Sequence, residues 1–245
     1  MATRNRIRPD CSNDVRRLKF ARGASWAGLY VLLLASAIAA SGQLGFSRSV
    51  TPGLIVRYVG LFGPSARGRL EGWKEFVRGI LSRTGPARDS SGEVELLGLV
   101  NRFFNGVSSS TDLALWGVED YWATPAEMLS IGGADCEDYA IAKYFALKEL
   151  GIPITRLRLV YAKTWLSTQY AHMVLAYYPN PHADPLILDN LAGSIQLASD
   201  RPDLIPVFSF NDDDLVVPGM GVQISGSSVR QWRDVLEKLE RELTY

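Results

Sequence analysis

The stretch that decides the fold is Thr124-Pro125-Ala126-Glu127-Met128-Leu129-Ser130-Ile131-Gly132-Gly133-Ala134-Asp135-Cys136-Glu137-Asp138-Tyr139-Ala140. Threonine at an N-cap, proline at the first helical position and glutamate two residues later predict a capping box and a short helix. Ile131-Gly132-Gly133 ends that helix, because two glycines permit a sharp reversal. Asp135-Cys136-Glu137-Asp138 then opens a longer helical run to Leu150, which Gly151 and Pro153 stop. Cys136 is thereby placed at or next to a helix N-terminus, where unpaired N–H groups and the macrodipole favour an anion. Thiolate is the nucleophilic form of cysteine. A cysteine that merely fills a core belongs mid-helix among apolar neighbours; this one follows Gly132-Gly133-Ala134 and is flanked by acids.

Downstream the hydrophobic period changes from helical to two. Residues 155–163 and 170–178 read as strands, the segment Asn180-Pro181-His182-Ala183-Asp184-Pro185 as a turn, and Leu186-Ile187-Leu188-Asp189-Asn190 as a third short strand. A helix followed by a meander of strands is an α+β arrangement, with the nucleophile at a helix N-terminus packed on an antiparallel sheet. His172 lies on the second strand, on the face of Val174 and Ala176. By itself a strand histidine is more often structural. Paired with a helix-start cysteine 36 residues earlier, it becomes a candidate general base and acid. Asp189, 17 residues further on, can accept a hydrogen bond from His172 if the strands are antiparallel neighbours, and is otherwise a turn-forming residue beside Asn190. His182, the only other histidine, reads as a solvated loop residue. The Cys136 backbone N–H is a natural oxyanion donor; the Trp122 indole is a second candidate, with an aromatic core role the alternative.

The acids around Cys136 oppose ionisation of its thiol unless something neutralises them. One reading makes Asp135 the N-cap and Glu137 and Asp138 partners of the helix dipole. The other makes Asp135, Glu137 and Asp138 part of a calcium site, since hard cations take carboxylate and carbonyl oxygens. A bound cation would cancel their effect on the thiolate. Three acids do not fill six to eight positions, so carbonyls, water or the Asp112/Asp120 region would have to contribute.

Upstream, residues 68–81 carry Leu70, Trp73, Val77 and Leu81 at helical spacing, and residues 93–105 carry Leu96, Leu97, Val100, Phe103 and Phe104. The polar connection 84–92 between them is too short to mark a domain boundary. At the C-terminal end Val229, Trp232, Leu236, Leu239 and Leu243 predict a docked amphipathic helix, with Arg233/Glu237 and Glu237/Arg241 pairing on its exposed face.

The chain has 245 residues, 47% of them hydrophobic and 21% charged, with formal net charge zero. That zero hides an asymmetry. Residues 1–40 hold seven basic residues against two acids, leaving 19 basic and 24 acidic in the remainder. The mildly acidic body argues against a nucleic-acid partner. The basic block runs into an apolar stretch of about 15 residues, 26–40, shorter than the roughly 20 that span a bilayer comfortably, and Ala37-Ile38-Ala39 resembles a cleavage site. Residues 1–43 therefore read as an export signal or signal anchor, with a buried N-terminal helix as the plain alternative, and residues 44–245 as one domain. Arg16-Arg17 resembles a twin-arginine signal, but the expected phenylalanine is displaced to Phe20. Of the two cysteines, Cys11 lies in the signal segment. Once that segment is removed, Cys136 has no intramolecular partner in an oxidising compartment.

The block Asp120-Tyr121-Trp122-Ala123-Thr124-Pro125-Ala126-Glu127-Met128-Leu129, then Gly132 to Ala140, then Tyr170-Ala171-His172-Met173-Val174-Leu175 and Leu188-Asp189-Asn190, resembles the bacterial transglutaminase-like cysteine proteinases, in particular their periplasmic LapG-type members. The resemblance covers roughly residues 46–210. One departure is Ala134, where glycine is expected before the Asp-Cys pair; it should alter only the local turn. The resemblance implies a papain-like, transglutaminase-like fold and a Cys136-His172-Asp189 triad. It further implies calcium dependence, with Asp135 and Glu137 matching the family's metal-binding acids. It implies a periplasmic protease that clips a large surface adhesin near its N-terminus at an Ala-Ala-type site, releasing cells from a biofilm. An inner-membrane cyclic di-GMP receptor of LapD type would hold the protease inactive. From the residues alone, a transglutaminase-like acyltransferase and a calcium-responsive binding module with an inert Cys136 remain alternatives.

Overall fold

In the computed structural model the described residues are 50–84, 90–164, 167–219 and 223–245. The export segment, Cys11 and the centre of the 84–92 connection lie outside them. Three helices lead the domain: α1 (Pro52–Phe62), α2 (Ser65–Thr84) and α3 (Ser90–Asn105). α1 is absent from the sequence expectation although Thr51 caps it and Pro52 begins it. On α2 the buried stripe is Leu70, Trp73, Val77 and Ile80, while Leu81 is exposed. At about 100° per residue positions 80 and 81 flank the stripe on opposite sides, and it is Ile80 that packing buries. Trp73 packs against Phe76, Phe103 and Phe104, with ring centroids 5.2 to 5.5 Å apart, which welds α2 to α3.

After a two-residue strand β1 (Ser108–Ser109) and a short α4 (Asp112–Trp116), the deciding segment forms as expected: α5 (Pro125–Ile131), β2 (Gly133–Ala134) and α6 (Cys136–Glu149). Both halves of the capping box are made, Thr124 accepting from Glu127 N–H and Glu127 accepting from Thr124 N–H. Gly132 closes α5 with φ 76°, a left-handed conformation that glycine adopts without strain. Arg69 of α2 donates to the Leu129 and Ser130 carbonyls there, satisfying acceptors that a helix end leaves open. Ala134 needs no glycine freedom. It lies in β2, paired in parallel with Ser109 of β1.

Among the described residues the main sheet has seven strands in the order β6-β5-β4-β3-β7-β8-β9, every neighbour antiparallel. Its members are β3 (Leu157–Thr164), β4 (Ser167–Tyr177), β5 (Leu186–Leu188), β6 (Gln196–Leu197), β7 (Leu204–Phe210), β8 (Leu215–Val216) and β9 (Gln223–Ile224). Only β3 to β5 are legible from periodicity. Residues alternate between two apolar faces along β4. Ala171, Met173, Leu175 and Tyr177 join the main core with α6, whereas Val174 and Ala176 form a smaller cluster with Val160 and Ile187, covered by Ala198 and Leu204.

The terminal helix α7 (Arg230–Glu242) docks through Trp232 and Val235, with Leu243 exposed. Its ion pair is Arg230–Asp234, at 3.8 Å, in place of the expected Arg233–Glu237–Arg241 ladder. Two further α7 side chains turn inward. Buried Glu242 accepts from Tyr58 and Thr124, and Lys238 donates to the Trp122 carbonyl and to Glu127. This helix therefore braces the loop that leads into α5. Among the described residues no helix is long and apolar enough to cross a membrane.

Candidate active site

Cys136 is the first residue of α6, so its backbone N–H belongs to the helix's first turn, whose N–H groups point out of the helix end. Its sulfur lies 3.0 Å from Glu137 Oε2. His172 pairs across the sheet with Ala162 of β3. Asp189 follows β5 directly. The β4–β5 register, Leu175 opposite Leu188, carries it back toward the histidine. Its Oδ1 stands 2.8 Å from His172 Nε2 and also accepts the Leu191 N–H at 2.9 Å. The contact expected toward His172 and the turn contact to Leu191 thus fall on one oxygen. With Nε2 donating to a carboxylate, Nδ1 is the basic nitrogen, and it is buried without a hydrogen-bond partner.

Cys136 and His172 line one cavity of about 10 Å³, together with Trp122, Glu137, Tyr161, Ala171 and Met173. That is room for about one water molecule. Cys136 and His172 are each 2% exposed and Asp189 1%, so the site is closed toward solvent. Trp122 takes the aromatic core role, stacking on Phe210 with centroids 6.0 Å apart, and also forms cavity wall. His182 is exposed in its turn and takes no part. Among the described residues there is no free cysteine, and Cys11 lies outside them; nucleophilic chemistry at Cys136 requires its reduced form.

Burial opposes the charge of Asp189. The hydrogen bond and charge of His172, the Leu191 N–H and Arg201 nevertheless hold its carboxyl well below the usual range. Arg201 Nη2 binds Asp189 Oδ2 at 2.8 Å and is itself gripped by both oxygens of Asp203. Sequence reasoning misses Arg201, because only the folded sheet brings it to Asp189. It also misses Lys143, fully buried on α6, whose ammonium is pushed down to about 7 by burial, against the opposing pull of Asp189.

The acids beside Cys136 converge with Asp112. Carboxylate oxygens of Asp112, Asp135 and Asp138 lie within 4.8 Å of one another, as do those of Asp112, Asp120 and Glu137. Asp135 occupies the N-cap position, yet its side chain makes no capping bond. One oxygen each of Asp112, Asp135 and Asp138 is buried without a partner. Burial first, and then the neighbouring charges, push Asp135 up to about 12 and Glu137 well above its usual value. Asp138 rises to about 8 and Asp112 to about 6 through burial, against hydrogen bonds from the Ala123 and Tyr121 N–H groups respectively. Buried acids with orphaned oxygens are costly unless a cation answers them. Hard oxygen donors in this number fit calcium.

The fold and this cavity define a thiol peptidase built on an α+β scaffold. Residues 82–202 match the family model described as bacterial transglutaminase-like cysteine proteinase. None of the curated proteins compared matches the chain. Among solved structures it is similar to LapG of Legionella pneumophila in three forms. The EGTA-treated form is 32% identical, with TM-score 0.66, over 80% of this chain and 98% of that one. A second LapG structure is 33% identical, with TM-score 0.64, over 80% and 97%. The calcium-bound form is 35% identical, with TM-score 0.61, over 76% and 97%. The chain belongs to the bacterial transglutaminase-like cysteine proteinases, and it is a cysteine peptidase.

Proposed function

We propose that the protein is a calcium-dependent periplasmic cysteine endopeptidase that cleaves the N-terminal region of a large surface adhesin and so promotes release from biofilm. In this reading Cys136 is the nucleophile, His172 the general base and acid, and Asp189 the residue that orients the imidazole. The observation that carries it is the 2.8 Å contact between His172 Nε2 and Asp189 Oδ1, with bare Nδ1 on a histidine that lines the Cys136 cavity.

The thiol proton passes to His172 Nδ1 and the sulfur attacks the scissile carbonyl carbon. The Cys136 backbone N–H donates to the developing oxyanion. Collapse of the tetrahedral intermediate breaks the C–N bond, and the imidazolium protonates the departing amine. A water molecule, deprotonated by Nδ1, then attacks the acyl-enzyme. The new carboxylate leaves and the thiol is restored. A cavity of about 10 Å³ walled by Trp122, Tyr161, Ala171 and Met173 suits a small side chain at the cleaved bond, in keeping with an Ala-Ala-type site.

Asp112, Asp135, Glu137 and Asp138, with Asp120 at the rim, would hold Ca²⁺. When bound, the ion supplies positive charge that offsets these acids beside the nucleophile. Calcium binding by a relative at 35% identity supports this assignment. Export to the periplasm rests on residues 1–43, and control by an inner-membrane cyclic di-GMP receptor of LapD type rests on the family resemblance.

The test is incubation of the purified chain, in reducing buffer, with the N-terminal region of a surface adhesin from its own genome, with calcium or with EGTA. The expected result is calcium-dependent cleavage that Cys136→Ala abolishes while the unfolding midpoint is kept. Cleavage by Cys136→Ala would remove the nucleophile assignment. Amine incorporation without cleavage would make the protein an acyltransferase.

A further inference from the structure

We infer that Arg201, held by Asp203, is a positioning residue of the active site, fixing the Asp189 carboxylate so that its other oxygen binds His172 through Nε2. The inference rests on the triad reading above and goes beyond it. Both Asp189 oxygens are engaged: Oδ1 by His172 Nε2 and the Leu191 N–H, Oδ2 by Arg201 Nη2 at 2.8 Å. A carboxylate anchored through one oxygen can turn about its Cβ–Cγ bond; one anchored through both cannot. Arg201 is equally confined. Asp203 takes its Nε at 2.9 Å and its Nη2 at 2.8 Å, a two-point grip that matches the planar guanidinium.

The delivery of Arg201 has a structural cause. Ala198 and Leu204, at either end of its segment, pack on Val160, Val174, Ala176 and Ile187, the sheet face opposite α6. Arg201, between them, reaches Asp189 Oδ2 at 2.8 Å. Its side chain is 10% exposed, and that of Asp189 is fully buried, so water competes little for the contact. Among the described residues, the charged groups around the imidazole are Asp189 after β5, Arg201 and Asp203 before β7, Lys143 on α6, and Glu137 beside Cys136. Only Arg201 combines a direct hydrogen bond to Asp189 with a fixed geometry of its own.

A purely structural Arg201 would tie the 198–204 segment to the sheet and affect stability alone. A positioning Arg201 also sets which imidazole nitrogen carries the proton. The chain has two histidines, so ¹⁵N-histidine labelling of the full-length, calcium-loaded protein gives two ring systems, with exposed His182 as internal reference. In a Cys136→Ala background at about pH 8.5, where an ordinary imidazole is neutral, we expect a single His172 tautomer with the proton on Nε2. Arg201→Ala should introduce the second tautomer. In the active chain it should lower kcat roughly 10- to 100-fold, the range seen when a group that orients a functional histidine is lost, with KM within about twofold. Guanidinium ion at millimolar concentration should restore part of that kcat. Asp203→Asn, which keeps the Arg201–Asp189 contact but loosens its hold, should give a smaller change of the same kind and serves if Arg201→Ala does not fold. A His172 tautomer unmoved in the folded variant, with kcat within twofold, would overturn the inference. Turnover surviving Cys136→Ala would instead overturn the triad reading, an outcome the tautomer measurement does not depend on.

Discussion

His172 meets Asp189 through Nε2, at 2.8 Å, which leaves Nδ1 as the buried, unpartnered nitrogen of an imidazole that shares a cavity with Cys136. The roles of the two nitrogens are reversed from those in chymotrypsin-type triads, where Nδ1 meets the aspartate and Nε2 the nucleophile. In the proposed triad the histidine would work with the nitrogen nearer its own backbone.

That relationship predicts different results for two substitutions of Asp189. Asp189→Ala removes the acceptor for Nε2–H and frees the ring, so kcat should fall about 10²- to 10⁴-fold, the share usually carried by an aligned base. Asp189→Asn keeps an acceptor oxygen toward His172 but turns an amide N–H toward Arg201. It should lose less than the alanine variant while lowering the unfolding midpoint. Steady-state kinetics and denaturant melts on both variants check this; equal kcat in Asp189→Ala and the parent would refute an orienting role.

The sequence reveals the deciding segment almost residue by residue, because capping, glycine reversal and helix termination are local. Thr124, Pro125, Glu127 and Gly132 each act within a few positions of themselves. Strands β3 to β5 are legible for the same reason, through simple alternation. β7 to β9 are not, since Ile205-Pro206 interrupts the pattern and the last two strands have two residues each. At the site, Cys136, His172 and Asp189 stand out through spacing and residue type. Arg201 and Lys143 do not, because an arginine in a loop and a lysine in a helix look ordinary until the fold sets them beside Asp189. The acids are an intermediate case. Asp135 is equally plausible as a cap by sequence, and its orphaned Oδ1 is visible only in three dimensions.

The acidic cluster predicts a stability that depends on pH and calcium together. Asp138 and Asp112, with ordinary values of 3.8, are raised to about 8 and about 6 in the folded chain. The folded state then holds more protons than the unfolded one between about pH 4 and pH 8. Stability from these groups is therefore full below pH 4 and is lost as pH rises through that window. If calcium occupies the cluster as proposed, it takes the place of the protons, so the loss should vanish when it is present and calcium affinity should increase with pH. Thermal melts from pH 5 to pH 8 in EGTA and in millimolar calcium measure this. Parallel curves would remove the cluster as a metal site, and Asp135→Ala should make the two curves converge.

The small cavity predicts a narrow preference at the residue preceding the cleaved bond. With about 10 Å³ free between Trp122, Tyr161, Ala171 and Met173, the wall is expected to admit an alanine side chain and to exclude leucine. Replacing alanine by leucine at that position of a cleaved peptide should lower kcat/KM about 10²-fold or more, since each methylene group is worth about 1 to 3 kcal/mol in such a pocket. A peptide series at that single position checks it, and equal cleavage of the two peptides would mean that this cavity does not receive the side chain.

Trp232 connects the terminal helix to the rest of the molecule, and its loss should be felt at the site through two different effects. It is fully buried, stacked on Phe145 at 5.3 Å and set edge-on to Tyr144 and Phe210 at 5.5 and 5.6 Å. Trp232→Ala should destabilise the protein by about 3 to 5 kcal/mol, the cost of an emptied aromatic site. The same helix places Lys238 on the Trp122 carbonyl and Glu242 on Thr124, so loosening it also loosens the cavity wall and the cap of α5. Lys238→Met separates the two effects, because it removes the donor to Trp122 while leaving the Trp232 packing in place. It should shift the unfolding midpoint only slightly and still lower kcat/KM several-fold. Denaturant melts beside kinetics on both variants decide the matter: a Lys238→Met enzyme with full activity would mean that the helix contributes stability alone.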